Sequence, residues 1–224
     1  MIKNISNLGD AAIYCDFGSE VNQEINSKVI NYFKNIKEKK IEGITNLTPS
    51  YNKLIISFDL KLTNFKNIKN IVENLELKKI EKTDSNKIKI PICCDKEFAL
   101  DINRLEQKLN ISEKKIYEKF FYKEYFCYMT GFIAGLPFLG DIDQSLNSKR
   151  LETPRVKIPK GSVGIAEQFC NIYTFESPGG WNIIGNTPIN VFDKTNELNP
   201  NLINPGDIVV FEQISKSEYE KFND

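Results

Sequence analysis

Between residues 125 and 192 the chain gathers the groups that could hold a small anion or polarise a carbonyl. Arg150 and Arg155 are two of very few arginines in a lysine-rich sequence. Lysine serves a solvated surface equally well, so retained guanidiniums point to fork-like, two-point contacts with a carboxylate or phosphate. An ion pair with Glu152 or Asp143 is the other reading of the same two residues. Around them runs a glycine-proline framework: GFIAGLPFLGDID, TPR, GSVGIA, SPGGW and IGNTP. Glycine weakens a strand unless the backbone must turn sharply or approach something closely. In the first of these motifs Gly135 helps main-chain amides reach an anionic or carbonyl ligand, with Asp141 and Asp143 as nearby acids. A tight barrel turn packed by Phe132, Leu136 and Phe138 competes with that reading. In ESPGGW, Pro178 presets one turn position and Gly179 is expected to take the positive φ of a type II turn. Glu176 is then the candidate base, Ser177, Gly179 and Gly180 are candidate ligand contacts, and Trp181 is either a packing residue or the wall of a cleft. Ser162 is a hydrogen-bond donor rather than a nucleophile, and Thr187 closes the framework in IGNTP.

The sequence has no histidine. Ser-His-Asp and Cys-His catalysis, His-ligated zinc and imidazole proton shuttling are therefore excluded, and acid-base work falls to carboxylates, Lys, Tyr, Cys or a partner protein. No metal site is expected. The 30 basic and 30 acidic residues cancel, which gives no field to draw the chain to nucleic acid or an anionic membrane. Five cysteines without a CxxC pair suit a reducing cytoplasm, and the opening residues read as neither signal peptide nor membrane span. No GxxxxGK[ST] loop is present.

These groups need a scaffold, and the patterning predicts an α+β one in two domains, 1–84 and 85–224. The first third reads β-α-β-β-α: AAIYCDF as a strand, a helix with Val21, Ile25, Val29, Ile30, Phe33 and Ile36 at helical spacing, a strand near Ile44, KLIISFDL, then the helix NFKNIKNIVENLEL. That order fits a ferredoxin-like α/β sandwich. Residues 78–87 are charged and unpatterned, the expected linker. The strand IKIPICC and two helices follow, the second capped by Ser112. From Glu124 onward, short apolar runs between turns at Gly140, Gly161, Pro178 and Pro205 predict a closed barrel, and the last residues a short helix.

Taken with GDAA at 9–12, PSYNKL at 49–54 and PGD at 205–207, the framework resembles the 5-oxoprolinase B-subunit family, also known as allophanate hydrolase subunit 1 or KipI-like carboxyltransferase-domain proteins, subdomains C and D. SPGGW between GSVGIA and IGNTP is the most specific part of the resemblance. It implies a cyclophilin-like barrel and a component of an ATP-dependent 5-oxoprolinase, which turns 5-oxo-L-proline, ATP and water into L-glutamate, ADP and phosphate with partners like the A and C subunits of that enzyme. ATP would be bound by the complex, at no site identifiable in this chain. On this reading Arg155, Glu176 and Asp141 are the catalytic candidates, and Arg150, Gly135, Ser162, Ser177, Gly179, Gly180, Trp181 and Thr187 bind substrate. The alternatives are a KipI-like regulatory module that grips and inhibits a sensor histidine kinase, and an allophanate hydrolase-related component with an altered substrate. The chain departs from the family pattern where a histidine is Phe120, the PGF step has Ala134 and Leu136, Gln-Thr-Gly is Phe169, Cys170 and Asn171, a proline is Lys149, and the arginine of IGRTP is Asn186. The expectation is that polar groups have been lost from one pocket.

Overall fold

The computed structural model describes residues 2–78 and 86–222, and the chain divides into two units, Met1–Asp84 and Ser85–Asp224. The linker expected at 78–87 falls for the most part outside the described residues.

In the first unit, period-2 burial makes strands of β2 (Ala12–Asp16) and β4 (Lys53–Phe58): Ile13, Cys15, Leu54, Ile56 and Phe58 point inward. Helical spacing turns Val29 and Ile36 of α1 (Gln23–Lys39), and Ile68 and Val72 of α2 (Phe65–Glu73), toward the same core. Both helices start at asparagine caps, where Asn22 accepts from the Ile25 N–H and Asn64 from the Asn67 N–H. With β1 (Asn4–Asn7) and β3 (Ile44–Pro49) the sheet is antiparallel in the order β1-β2-β4-β3. The order is thus β-β-α-β-β-α, one strand more than the sequence suggests. β1, sequence NISN, has no apolar alternation to announce it and is held by its pairing with β2.

The second unit opens with β5 (Lys87–Cys93), α3 (Ile102–Leu109) and α4 (Glu113–Phe121). Next come β6 (Glu124–Thr130), β7 (Pro137–Gly140), β8 (Arg155–Ile158), β9 (Ser162–Ala166), β10 (Phe169–Ile172), β11 (Ser177–Gly179), β12 (Asn182–Asn186), β13 (Ile208–Ile214) and α5 (Lys216–Glu220). Seven strands close a barrel in the order β10-β7-β6-β13-β5-β12-β9, with β13 and β5 parallel over their full lengths. Tyr125, Cys127, Leu139, Val163, Ile165 and Phe211 share one core with α3 and α4. Phe120 packs there on Phe211 and Tyr125, with ring centroids 5.0 and 5.2 Å apart, so the position where the family pattern has histidine is an aromatic core position in this chain.

A second apolar cluster is built from the opposite face of the same strands. Tyr173 and Ile183 alternate with the core residues Ile172 and Ile184, so they stand on the other face of the barrel wall. They pack with Leu136 and with Ile158, which belongs to a separate two-stranded ribbon of β8 and β11. The site is built in this seam. Among the described residues no helix is long and apolar enough to cross a membrane.

Candidate functional site

Arg155 begins β8 opposite Gly179 of β11. Its guanidinium forks onto Asp101, with N–H···O distances of 2.9 and 2.7 Å. Asp101 is 3% exposed and also accepts from the Ile183 N–H at 2.7 Å, while its own N–H donates to the Ile183 carbonyl at 2.9 Å. One carboxylate therefore fastens the start of α3, strand β12 and the ribbon together. The fork expected of an arginine is present, on the protein's own Asp101 rather than on Glu152 or Asp143. Asp143 turns the other way: hydrogen bonds from Ser145, with Lys119 at 3.3 Å, hold its carboxyl down at about 2.

Arg150 is placed differently. Its guanidinium carbon lies 5.5 Å from the centroid of the Trp181 ring, and it carries no ion pair among the described residues. Trp181 is buried, edge-on to Phe138 at 5.7 Å, and thus both a packing residue and a platform. Beside it, the Leu151 N–H donates to the Gly180 carbonyl at 2.6 Å and ties the Arg150 segment to the end of the ribbon.

Buried Tyr173 lies at the centre. A side chain on Gly179 would collide with the Tyr173 hydroxyl and with Ile158. Gly179 is a strand residue without positive φ, so the expected type II turn is not what demands glycine here; the approach of the phenol is. Gly180 has only ordinary contacts within reach of an added Cβ, at 3.6 to 3.7 Å. Burial pushes the Tyr173 phenol up, while hydrogen bonding from Asn171 and the Trp181 backbone and the charges of Arg150 and Arg155 pull it down. Both guanidiniums therefore act on one buried hydroxyl. Around it, Asn171 Oδ1 and Ser177 Oγ are buried without a hydrogen-bond partner among the described residues, as is Asn182 Oδ1 on the next strand. Such buried polar atoms are rare in folded proteins, and an ordered water or a ligand completes their bonding.

The remaining candidates are engaged elsewhere. Asp141 accepts from Tyr128 at 3.0 Å and Gln168 at 3.3 Å. Glu176 is exposed and pairs with Lys157 at 2.8 Å. Gly135, at φ 69, lies so close to Phe192 that a side chain would clash. Ser162 is buried opposite Asn186, and buried Thr187 accepts from the Ile189 N–H at 3.2 Å. The sequence reading did not select Tyr173, Asn171 or Asp101. Period-2 alternation after Cys170 puts Asn171 and Tyr173 on one face, which was the available signal; Asp101 gives none, being 54 residues from its arginine.

The register also separates the family departures. Asn186 pairs with Ser162 and Phe169 with Ala166, at opposite ends of β9, about 13 Å apart at a strand's rise. The expectation of one depleted pocket is therefore corrected. Asn186 donates to the Lys160 carbonyl at 2.9 Å and accepts from the Tyr219 hydroxyl at 2.8 Å, docking α5. Phe169 packs edge-on to Tyr128 at 5.7 Å.

The sequence and the fold are shared with known proteins. Residues 3–203 match the family described as carboxyltransferase domain, subdomain C and D. The 5-oxoprolinase B subunit of Bacillus subtilis (strain 168) is 32% identical across 98% of this chain and 96% of its own length. That of Haemophilus influenzae is 29% identical across 93% of this chain and 96% of its own. Among solved structures, TTHA0988 has a TM-score of 0.83 at 25% identity over 92% of this chain, which spans only 40% of that longer protein. The conserved uncharacterized protein PH0987 from Pyrococcus horikoshii has a TM-score of 0.58 at 33% identity, covering 96% of this chain and 100% of its own. The chain belongs to the carboxyltransferase domain family, subdomains C and D, alongside relatives named as the B subunits of 5-oxoprolinases.

Proposed function

We propose that this chain is the B-type component of an ATP-dependent 5-oxoprolinase, working with A-like and C-like partners in the cytoplasm, where its five buried free thiols stay reduced. In the same reading the first unit is ferredoxin-like and the barrel cyclophilin-like. The observation that carries the proposal is the seam: an exposed, unpaired guanidinium lies over Trp181, beside a buried phenol and two buried polar atoms without a hydrogen-bond partner among the described residues. 5-Oxoproline is a small lactam with one carboxylate. Arg150 grips that carboxylate as a fork, and Trp181 and Phe138 receive the apolar ring edge. Asn171 Oδ1 accepts the lactam N–H. Tyr173, kept protonated by burial, donates to the lactam oxygen as charge develops on it. Arg155 is a positioning residue that keeps the ribbon on the barrel through Asp101, and Asp141 and Glu176 keep their present partners.

ATP belongs to the complex. The N-termini of α1, α2, α4 and α5 are each capped by a side chain, Asn22, Asn64, Ser112 and Ser215, and α3 starts at the Asp101 carboxylate. No phosphoryl step is routed through this chain.

The test is co-expression with the partner proteins and measurement of ATP hydrolysis with and without 5-oxoproline. Arg150→Ala is expected to remove a charge-assisted bond of about 1.5–3 kcal/mol, raising KM roughly ten- to a hundredfold, with Arg150→Lys recovering part of it. Tyr173→Phe should act mainly on kcat. A complex that assembles but shows no 5-oxoproline-stimulated turnover would end this reading. The KipI-like alternative is favoured by Phe132, 75% exposed and held at φ 70 near the ribbon's cluster, a suitable contact for a helical partner. Inhibition of sensor-kinase autophosphorylation by the isolated chain, lost in Phe132→Ala, would select it instead.

A further inference from the structure

Among the described residues strand β3 is an outer strand that pairs with β4 alone, so its far edge carries ladder groups unused by the sheet. Edge strands are commonly blunted by charges, prolines or bulges. β3 has no exposed charge, but it ends at Pro49 and its register with β4 shifts between Ile44 and Asn46, so the edge open to a partner is the short stretch around Leu47. Beside this edge, between α1 and β3, runs a groove of about 440 Å³ with Phe33, Ile41, Ile44 and Leu47 as its apolar lining.

Among the described residues, Lys37 and Lys40 are the charged ones that line the groove. Both are exposed and neither forms an ion pair among the described residues. The Lys37 ammonium sits 5.7 Å from the Phe33 ring centroid, and Lys40 ends α1 in the left-handed conformation at φ 44. The acids nearby lie outside the lining, and Glu38 faces Lys78 at 3.9 Å.

A short open edge around Leu47, an apolar groove on its helix side and two cations on the groove's rim without an ion pair among the described residues are three independent features, and they match one kind of ligand. We propose that β3 docks an extended segment of a partner protein that adds a strand to the sheet. In the added strand, every second residue faces α1. Those residues are apolar where they enter the groove and acidic at the flanks, where carboxylates meet Lys37 and Lys40. The inference stands on the first unit and does not depend on the chemistry assigned to the seam.

The probe is an end-blocked peptide, Glu-Thr-Val-Thr-Val-Thr-Glu, with its lysine-for-glutamate counterpart as control. Binding is measured by calorimetry, and its place by amide hydrogen exchange. The acidic peptide is expected to bind and to slow exchange along β3. In the variant Lys37→Glu/Lys40→Glu its affinity should fall about tenfold or more, and the lysine peptide should now be preferred. The gain of binding by the control shows that the variant is folded. Absence of binding, equal binding to both proteins, protection outside β3, or self-association of the chain through β3 without peptide would each overturn the proposal.

Discussion

Arg150 and Arg155 are separated by five positions in the sequence but meet different environments, one exposed over an aromatic ring, the other forked onto a buried carboxylate. Removing Arg155 leaves Asp101 charged, buried and short of two bonds. Arg155→Ala is therefore expected to cost about 3 kcal/mol, toward the lower end for broken buried pairs because the arginine side chain is 29% exposed. Arg155→Lys should recover little, since an ammonium cannot make the fork. Arg150→Ala should leave stability within about 0.5 kcal/mol, as surface substitutions do. Urea unfolding of the three variants checks this, and equal midpoints for Arg155→Ala and Arg150→Ala would contradict the assignment. The fork of Arg155 was legible in the sequence; that its carboxylate is the protein's own Asp101 was not, because Asp101 lies at the start of a helix 54 residues away, and the place of Arg150 over Trp181 was not legible either.

At the scale of elements, the ribbon of β8 and β11 lies on the barrel because Gly179 lets Tyr173 approach it. Gly179→Ala should cost about 1–3 kcal/mol through overpacking and detach the ribbon locally. Gly180→Ala, with room for a methyl group, should change stability by less than about 0.5 kcal/mol. Thermal melts and exchange protection at β8 separate the two, and matched effects would show that the contact with the phenol is not what requires glycine. Elements announced by local pattern were readable: α1 from its 3.6-residue period, β2 and β4 from alternation, and the Ser112 cap, whose hydroxyl accepts from the Lys115 N–H at 3.4 Å. β1 was not readable, because polar NISN becomes a strand only by pairing with β2, and pairing is a non-local property. The glycines were legible as a framework. The reason for Gly179 was not, because its neighbour in space comes from another strand.

For the whole molecule, the absence of histidine leaves no ordinary side-chain titration between about pH 5 and 8, so stability should be level there. Burial raises the Cys15 and Cys94 thiols to about 12. The folded state then keeps protons that the unfolded state releases above about 9, and stability is lost as pH rises from there toward 12. On the acid side, Asp143, held at about 2, contributes stability that is full above the ordinary aspartate value and fades as pH falls through the folded one. Urea midpoints across pH should show this plateau with two falling flanks, and a step near pH 6.5 would refute it. Closure of the barrel has a further consequence. Residues 87–93 lie against 208–214 in parallel register, so the wall is complete only when the last long strand arrives. A chain emerging from the ribosome must hold β5 open-edged for more than a hundred residues of translation, while the first unit already has every strand it needs. Nascent barrel and finished N-terminal unit thus coexist during synthesis, with β5 unpaired on its β13 side until the end.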